Sequence, residues 1–368
     1  MSEASWPSAP SAHPWREVTP ACGRVEIALD ADLEGADDPL ADLSAAVRVG
    51  DTLFLGSDEG AAIERLERDG TRWVRHRRLM LADYLDLDPA AEADVEGLAE
   101  EDGWLWVLGS HARTRPKLRR RGEDRIDLGT FSNLNDTRAR CLLARLPLVP
   151  DPHAPGRVMP VLSAGGRRAG MLERTKYGNE LARLLARHPL LKPFTQIPAK
   201  EGGIDLEGIA VAGSRLAIGM RGPVIRNYAV LLEMEIGARR SGALRIDGPL
   251  FKRLLDLEGL GIRDLKRIGA DLLILAGPTT GLDGPCAIYR WRDWLSEPAE
   301  HYDMVRLHRP ERIIDLPFGR GDDHPEGLAL IDRADGRLDL LIVCDGPAPF
   351  RLDAARRRLA CDLFRLPD

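Results

Sequence analysis

DVEGLAEEDGWLWVLGSH, residues 94–111, decides the reading of the chain, because the same pattern returns. It comes back as DLEGIAVAGSRLAIGMRGP at 205–223 and as HPEGLALIDRADGRLDLLIVCDGP at 324–347. Each copy has an acidic or polar lead, Glu-Gly, a short apolar strand, a turn, and a second apolar strand. Two weaker copies fit the frame: DLSAAVRVGDTLFLGSDEG at 42–60 and IRDLKRIGADLLILAGP at 262–278. Turn dipeptides Gly50-Asp51, Asp102-Gly103 and Asp335-Gly336 separate the paired runs, as hairpins require. A strand-turn-strand unit repeated at this length signals a β-propeller. The expected fold is therefore all-β, a propeller with five visible blades.

Working outward, the gap from Asp94 to Asp205 is about twice the gap from Asp42 to Asp94, which leaves room for a sixth, degenerate blade. It also holds MLERTKYGNELARLLARHPLL at 171–191, where Leu172, Leu181, Leu184 and Leu185 fall at helical spacing. A helical insertion around 165–195 is expected there. Residues 1–20, rich in Pro, Ser and Ala, read as a flexible tail, and 21–368 as a single propeller domain. RVEIAL at 24–29 alternates like a strand and is expected to complete the last blade.

The fourth unit shows why the motif must be aligned by its strands. DLEG occurs at 32–35 and 256–259, but no paired strands follow either copy at the right distance. Matching second strands, Leu216 with Leu272, places Arg263 where Glu207 stands and Asp264 where Gly208 stands. Ser44 takes the same place in the first unit.

Composition bounds the rest. The chain has 368 residues, 44% hydrophobic and 30% charged, enough apolar content for a large core. A net charge of −6 argues against a nucleic-acid partner, and the basic run at 113–125 has no aromatic to stack on a base. Cys22, Cys141, Cys286, Cys344 and Cys361 form no CxxC pair, which suits reduced thiols in the cytoplasm. No signal sequence or membrane-spanning run is visible, so no membrane partner is expected.

Propeller geometry decides which residues meet. Inner strands line the channel and second strands run back to the same face. Glu96, Glu207 and Glu326 therefore converge with Ser44, Arg263 and Asp264 and with the second-strand ends Asp58, Ser110, His111, Arg221 and Asp345; His324 stands just ahead of Glu326. Two arrangements are open to the glutamates. Three carboxylates could hold Ca²⁺, Mg²⁺ or Mn²⁺, and the metal would activate water against an ester, lactone or phosphate. Alternatively, Arg221 and Arg263 could neutralise them and lock the blades together. His111 reads equally as a ligand-facing base or a loop residue. The functional expectation is a small ligand at the channel mouth, with a divalent-metal-dependent hydrolase as one form. The alternative is a non-catalytic propeller that presents this face to a protein partner.

EGGIDLEGIAV, LAIGMRGPV, DVEGLA with LWVLGSH, GIRDL with LLILAGP, and HPEGLAL together resemble the bacterial domain of unknown function 3616 family. That resemblance spans almost all of the chain after the tail and implies no established activity. The Glu-Gly-apolar-Ala repeat is also similar, more distantly, to the phytase-like esterase domain and to metal-dependent propeller lactonases.

Overall fold

The computed structural model describes residues 18–30, 39–90, 92–116, 127–298, 304–319 and 321–367. It is mostly β, in a propeller-like arrangement. The first unit is a meander of Leu43–Val49, Thr52–Ser57, Ala62–Asp69 and Arg72–Met80. Asp205–Ala212, Arg215–Gly222, Ala229–Ala238 and Leu244–Leu255 repeat that order, as do Gly261–Ile268, Asp271–Gly277, Cys286–Trp291 and Glu311–Leu316. The last unit runs His324–Asp332, Leu338–Asp345, Arg358–Arg365, and then takes Gly23–Ala28 from the other end of the chain as its outer strand. That strand lies antiparallel to Arg358–Arg365 and touches Arg72–Met80 in parallel through Glu26 and Ile27, so it fastens last unit to first.

The unit at 95–150 departs from this plan. Val95–Glu101, Trp104–Gly109 and Leu143–Pro150 pair in order, but two short strands, Val158–Pro160 and Gly170–Met171, share the outer edge. The segment from 150 to 200 thus finishes this sheet and then leaves it. Its α-helix spans Glu180–Arg187 and is shorter than the sequence spacing suggests. Asn179 caps it by accepting from the Ala182 N–H, Leu181 and Leu185 bury one stripe, and Pro189 follows its end.

Leu43–Val49, Val95–Glu101, Asp205–Ala212, Gly261–Ile268 and His324–Asp332 are the innermost strands, and each touches the next around a closed ring. The buried apolar clusters fill the wedges between neighbouring sheets: Phe54 and Ile63 with Val95 and Leu105, for example, or Ala217 and Leu231 with Leu265 and Leu272. Because both faces of each sheet are covered, second strands such as LLILA at 272–276 are apolar without alternation.

Every inner strand also carries one extra residue at its head. Pairing with the second strand skips Ser44, Glu96, Arg263 and Glu326, and in the third unit skips Glu207 and Gly208 against Gly219 alone. These are β-bulges, which turn a side chain out of the alternation of the ladder. In the three Glu-Gly units the residue that follows is glycine; behind Glu96 and Glu207 the next inner strand lies against it. A Cβ on Gly208 would sit 2.6 Å from the Asp264 Cα, and one on Gly97 3.1 Å from the Ile209 Cγ2. Gly208 also has φ +78°. Gly208→Ala is therefore expected to cost about 2 kcal/mol or more, since left-handed strain and a backbone clash add. Gly97→Ala, whose Cβ would meet the Ile209 side chain at 3.1 Å and backbone no nearer than 3.3 Å, without a left-handed φ, should cost clearly less. Urea unfolding midpoints of the two variants check the order.

Candidate functional site

The bulges bring one column of the sequence to one mouth. Glu96 and Glu326 line a cavity of about 340 Å³, together with Asp58, Asp94, Asp205, Arg221 and Asp345. Loops outside the repeat close it: Arg113 and Arg115 from one side, Arg140 from another, and Lys200 and Glu201 from the segment after the helix. Of the basic run at 113–125, residues 117–125 lie outside the described residues.

Arginines partition the carboxylates. Arg263, 6% exposed, donates from Nη1 to the Glu207 carboxylate at 3.3 Å and from Nη2 to Glu326 Oε1 at 2.6 Å. Arg221 places Nε 3.1 Å from Glu207 Oε1 and donates from Nη2 to Asp205. Arg140 bridges Asp94 and Glu92, and Arg115 grips Glu201 with a 2.9 Å bond from Nη2. Three lining carboxyls remain: Asp58, Glu96 and Asp345 have no ion pair among the described residues. Glu96 is 8% exposed, and its buried Oε2 has no hydrogen-bond partner; nor does Asp58 Oδ1.

An unpaired carboxyl in such a place keeps its proton. Burial, then the charges of Glu207, Asp94, Glu326 and Asp205, push Glu96 well above the usual carboxylate range. Burial, then Asp94, Asp345 and Asp42, lift Asp58 to about 8. Burial and Asp42 raise Asp345. Glu207 is raised by burial too, but Arg221 and Arg263 oppose the rise. Asp94, lifted by burial to about 6, is held back by Arg140 and by the hydroxyl of Ser110.

Other residues singled out in the sequence sit elsewhere. Ser44 donates to the Val95 carbonyl and ties one inner strand to the next. Asp264 is fully buried, accepting from Lys266 Nζ at 2.6 Å and from the Leu328 N–H at 2.8 Å. Ser110 donates to Asp94 behind the cavity wall. His324 lies 3.9 Å from Asp283. His111 is turned away: its Nδ1 bonds the Gly109 carbonyl at 2.8 Å and its Nε2 meets Asn179 Nδ2 at 3.1 Å. Nδ1 therefore carries the hydrogen and Nε2 accepts. Burial lowers this imidazole to about 4, so it is neutral.

Of the three glutamates, Glu207 and Glu326 meet guanidiniums, whereas Glu96 meets none. Among the described residues, no group of three or more His, Cys, Asp or Glu is placed to hold a metal ion. Sequence reasoning missed Asp94 and Asp205 as site residues, although both lead their Glu by two positions. Arg140 and Lys200 carried no signal, because they lie in unrepeated loops.

The raised carboxyls make stability depend on pH. The folded state holds the Asp58 proton up to about 8, whereas the unfolded chain releases it near 3.8. Folded protein thus binds more protons between those values, and stability falls as pH rises through them, by at most about 1.4 kcal/mol per pH unit for one group. Asp58→Asn is expected to flatten the fall between pH 5 and 8, as read from thermal midpoints across pH.

All five cysteines are free thiols. Among the described residues, no helix is long and apolar enough to cross a membrane. No curated protein matches the chain. Solved structures with a similar course include a glutaminyl cyclase of Myxococcus xanthus, 11% identical, covering 94% of this chain and 98% of that one at a TM-score of 0.40. An aldose sugar dehydrogenase of Streptomyces coelicolor in its PQQ-bound form is 12% identical, covering 94% and 99% at 0.36. A GH43 endo-arabinanase of Bacillus licheniformis is 10% identical, covering 90% and 96% at 0.35. The structural likeness is to diverse β-rich enzymes and is not specific to phytase-like or lactonase propellers. Residues 42–362 match the family described as Protein of unknown function (DUF3616), and the chain belongs to that family.

Proposed function

We propose that the channel mouth binds a small polar ligand and hydrolyses it by acid–base chemistry, with Glu96 as the proton donor. The reading takes the inner strands and the sheets behind them as five blades of one cytoplasmic propeller, supported by their cyclic contacts. One observation carries the functional part: a buried carboxyl, raised in pKa, opens onto a cavity with no partner for Oε2. A carboxylic acid kept neutral beside ionised neighbours is the arrangement that general acid catalysis requires.

In this scheme an ester, lactone or phosphate enters with its oxygen toward Arg221 and Lys200. Asp94, held as carboxylate by Arg140, takes a proton from water while the water oxygen bonds to the carbonyl carbon or phosphorus. The bond to the leaving oxygen breaks, and Glu96 protonates that oxygen. Arg221 stays fixed by Asp205 and Glu207 throughout.

Turnover should be sought on panels of esters, lactones and phosphomonoesters. Glu96→Gln keeps the shape and neutrality of the protonated acid, so it should fold normally and lose about 10²-fold or more in kcat with KM little changed. Wild-type rates in Glu96→Gln would remove Glu96 from the chemistry. Calorimetric titration with Ca²⁺, Mg²⁺ and Mn²⁺ separates a metal-dependent version: saturable binding lost in Glu96→Gln would make this residue a ligand. No turnover on any panel would favour the protein-binding reading of this face.

A further inference from the structure

A second cavity, of about 320 Å³, lies beside the mouth, and its chemistry is the opposite. Its floor is apolar. Ala182, Leu185 and Ala186 stand at i, i+3 and i+4 on the helix Glu180–Arg187 and so share one stripe, facing Ile204. Its rim is cationic: Arg183 and Arg187 project from the same helix, with Arg113 and Arg138 on other segments. No acidic side chain lines it among the described residues. Arg183 is tied to Glu180 at 3.2 Å and Arg138 to Asp136, both outside the lining, whereas Arg113 and Arg187 make no ion pair among the described residues.

The remaining walls are neutral. His111 has both nitrogens engaged, and Cys141, raised by burial to about 11, remains a thiol. Asn179 fixes this wall: it caps the helix, donates to the Cys141 carbonyl at 2.9 Å, and holds His111. The cavity is thus an apolar floor under four guanidiniums, two of them without an ion pair among the described residues, with no carboxylate in its lining to repel an anion.

We propose that this cavity binds a small organic carboxylate with a hydrocarbon body. The chain lies on Leu185, Ala186 and Ile204, and the carboxylate meets Arg187 and Arg113. A guanidinium fork matches a carboxylate in plane, which favours this head group. A volume near 300 Å³ is at the small end for ligand pockets, and so suits a short chain. The site does not depend on the chemistry proposed for the mouth.

Calorimetric titration of the full chain with octanoate, acetate and 1-octanol tests it. Octanoate is expected to bind saturably with one site, and acetate and 1-octanol at least tenfold more weakly. Ala186→Trp, at an exposed helix position that lines the cavity, should abolish octanoate binding without changing the thermal midpoint. Should that variant fold poorly, the double variant Arg113→Gln, Arg187→Gln carries the same test and should weaken binding at least tenfold. Absence of saturable octanoate binding, wild-type binding in these variants, or equal affinity for 1-octanol would each overturn the proposal.

Discussion

The structure depends on one extra residue at the head of each inner strand. A regular ladder would send Ser44, Glu96, Glu207, Arg263 and Glu326 alternately into the sheet packing or away from it. The bulge frees that residue from pairing and aims it at the channel, while the next position packs against the neighbouring inner strand. Glu-Gly is the residue pair that serves both needs. Glycine tolerates the approach of backbone, and the side chain before it reaches the mouth. Where the pair changes, the packing changes with it. Ala45 replaces the glycine in the first unit and lies 3.0 Å from where a Cβ on Gly327 would be. In the fourth unit Asp264 takes the place and bonds the Leu328 N–H of the next inner strand.

Gathering carboxylates at a single mouth is unfavourable unless something offsets their repulsion and loss of water. Arg263 is that offset. It stands in the glutamate column itself, between Glu207 and Glu326, and joins the inner strands on either side of its own. Arg221 repeats the device from a second strand, where an extra residue in the ladder opposite Leu206 turns it toward Asp205. Both arginines serve the same side of the ring. The side carrying Asp58, Glu96 and Asp345 has neither of them; there Arg140 pairs Asp94, and protons retained on Asp58 and Glu96 relieve the rest. Compensation is therefore local, and the uncompensated arc is where the cavity opens.

Much of this arc was legible in the residues. Aligning second strands, and not the DLEG string, put Ser44 and Arg263 in the glutamate column, and the bulges fall on that column. The strand 24–29 was likewise readable, because alternation survives at a sheet edge. Other parts were hidden for physical reasons. Leu244–Leu255 is a full outer strand, but Gly248-Pro249 and its charged residues mask the alternation. The long helix suggested by leucine spacing begins only at Asn179, since a capping side chain, not periodicity, fixes the first turn. His111 looked like a mouth residue because it follows Ser110 at a strand end. Its backbone instead turns left-handed, with φ +55°, and carries the ring to the other side.

That turn gives the two cavities their separate characters. Ala112 lines the carboxyl-rich mouth and His111 lines the arginine-rimmed cavity, so a single stretch of chain divides them. A charged residue at 111 would couple the two, adding a cation beside the arginines or a carboxylate near Asp94. A buried imidazole held neutral by Gly109 and Asn179 does neither. It fills the partition, satisfies both of its nitrogens, and leaves the fields on either side unmixed. Arg113, two residues on, touches both cavities and has no ion pair among the described residues. Among the described residues it is the one side chain that lines both cavities.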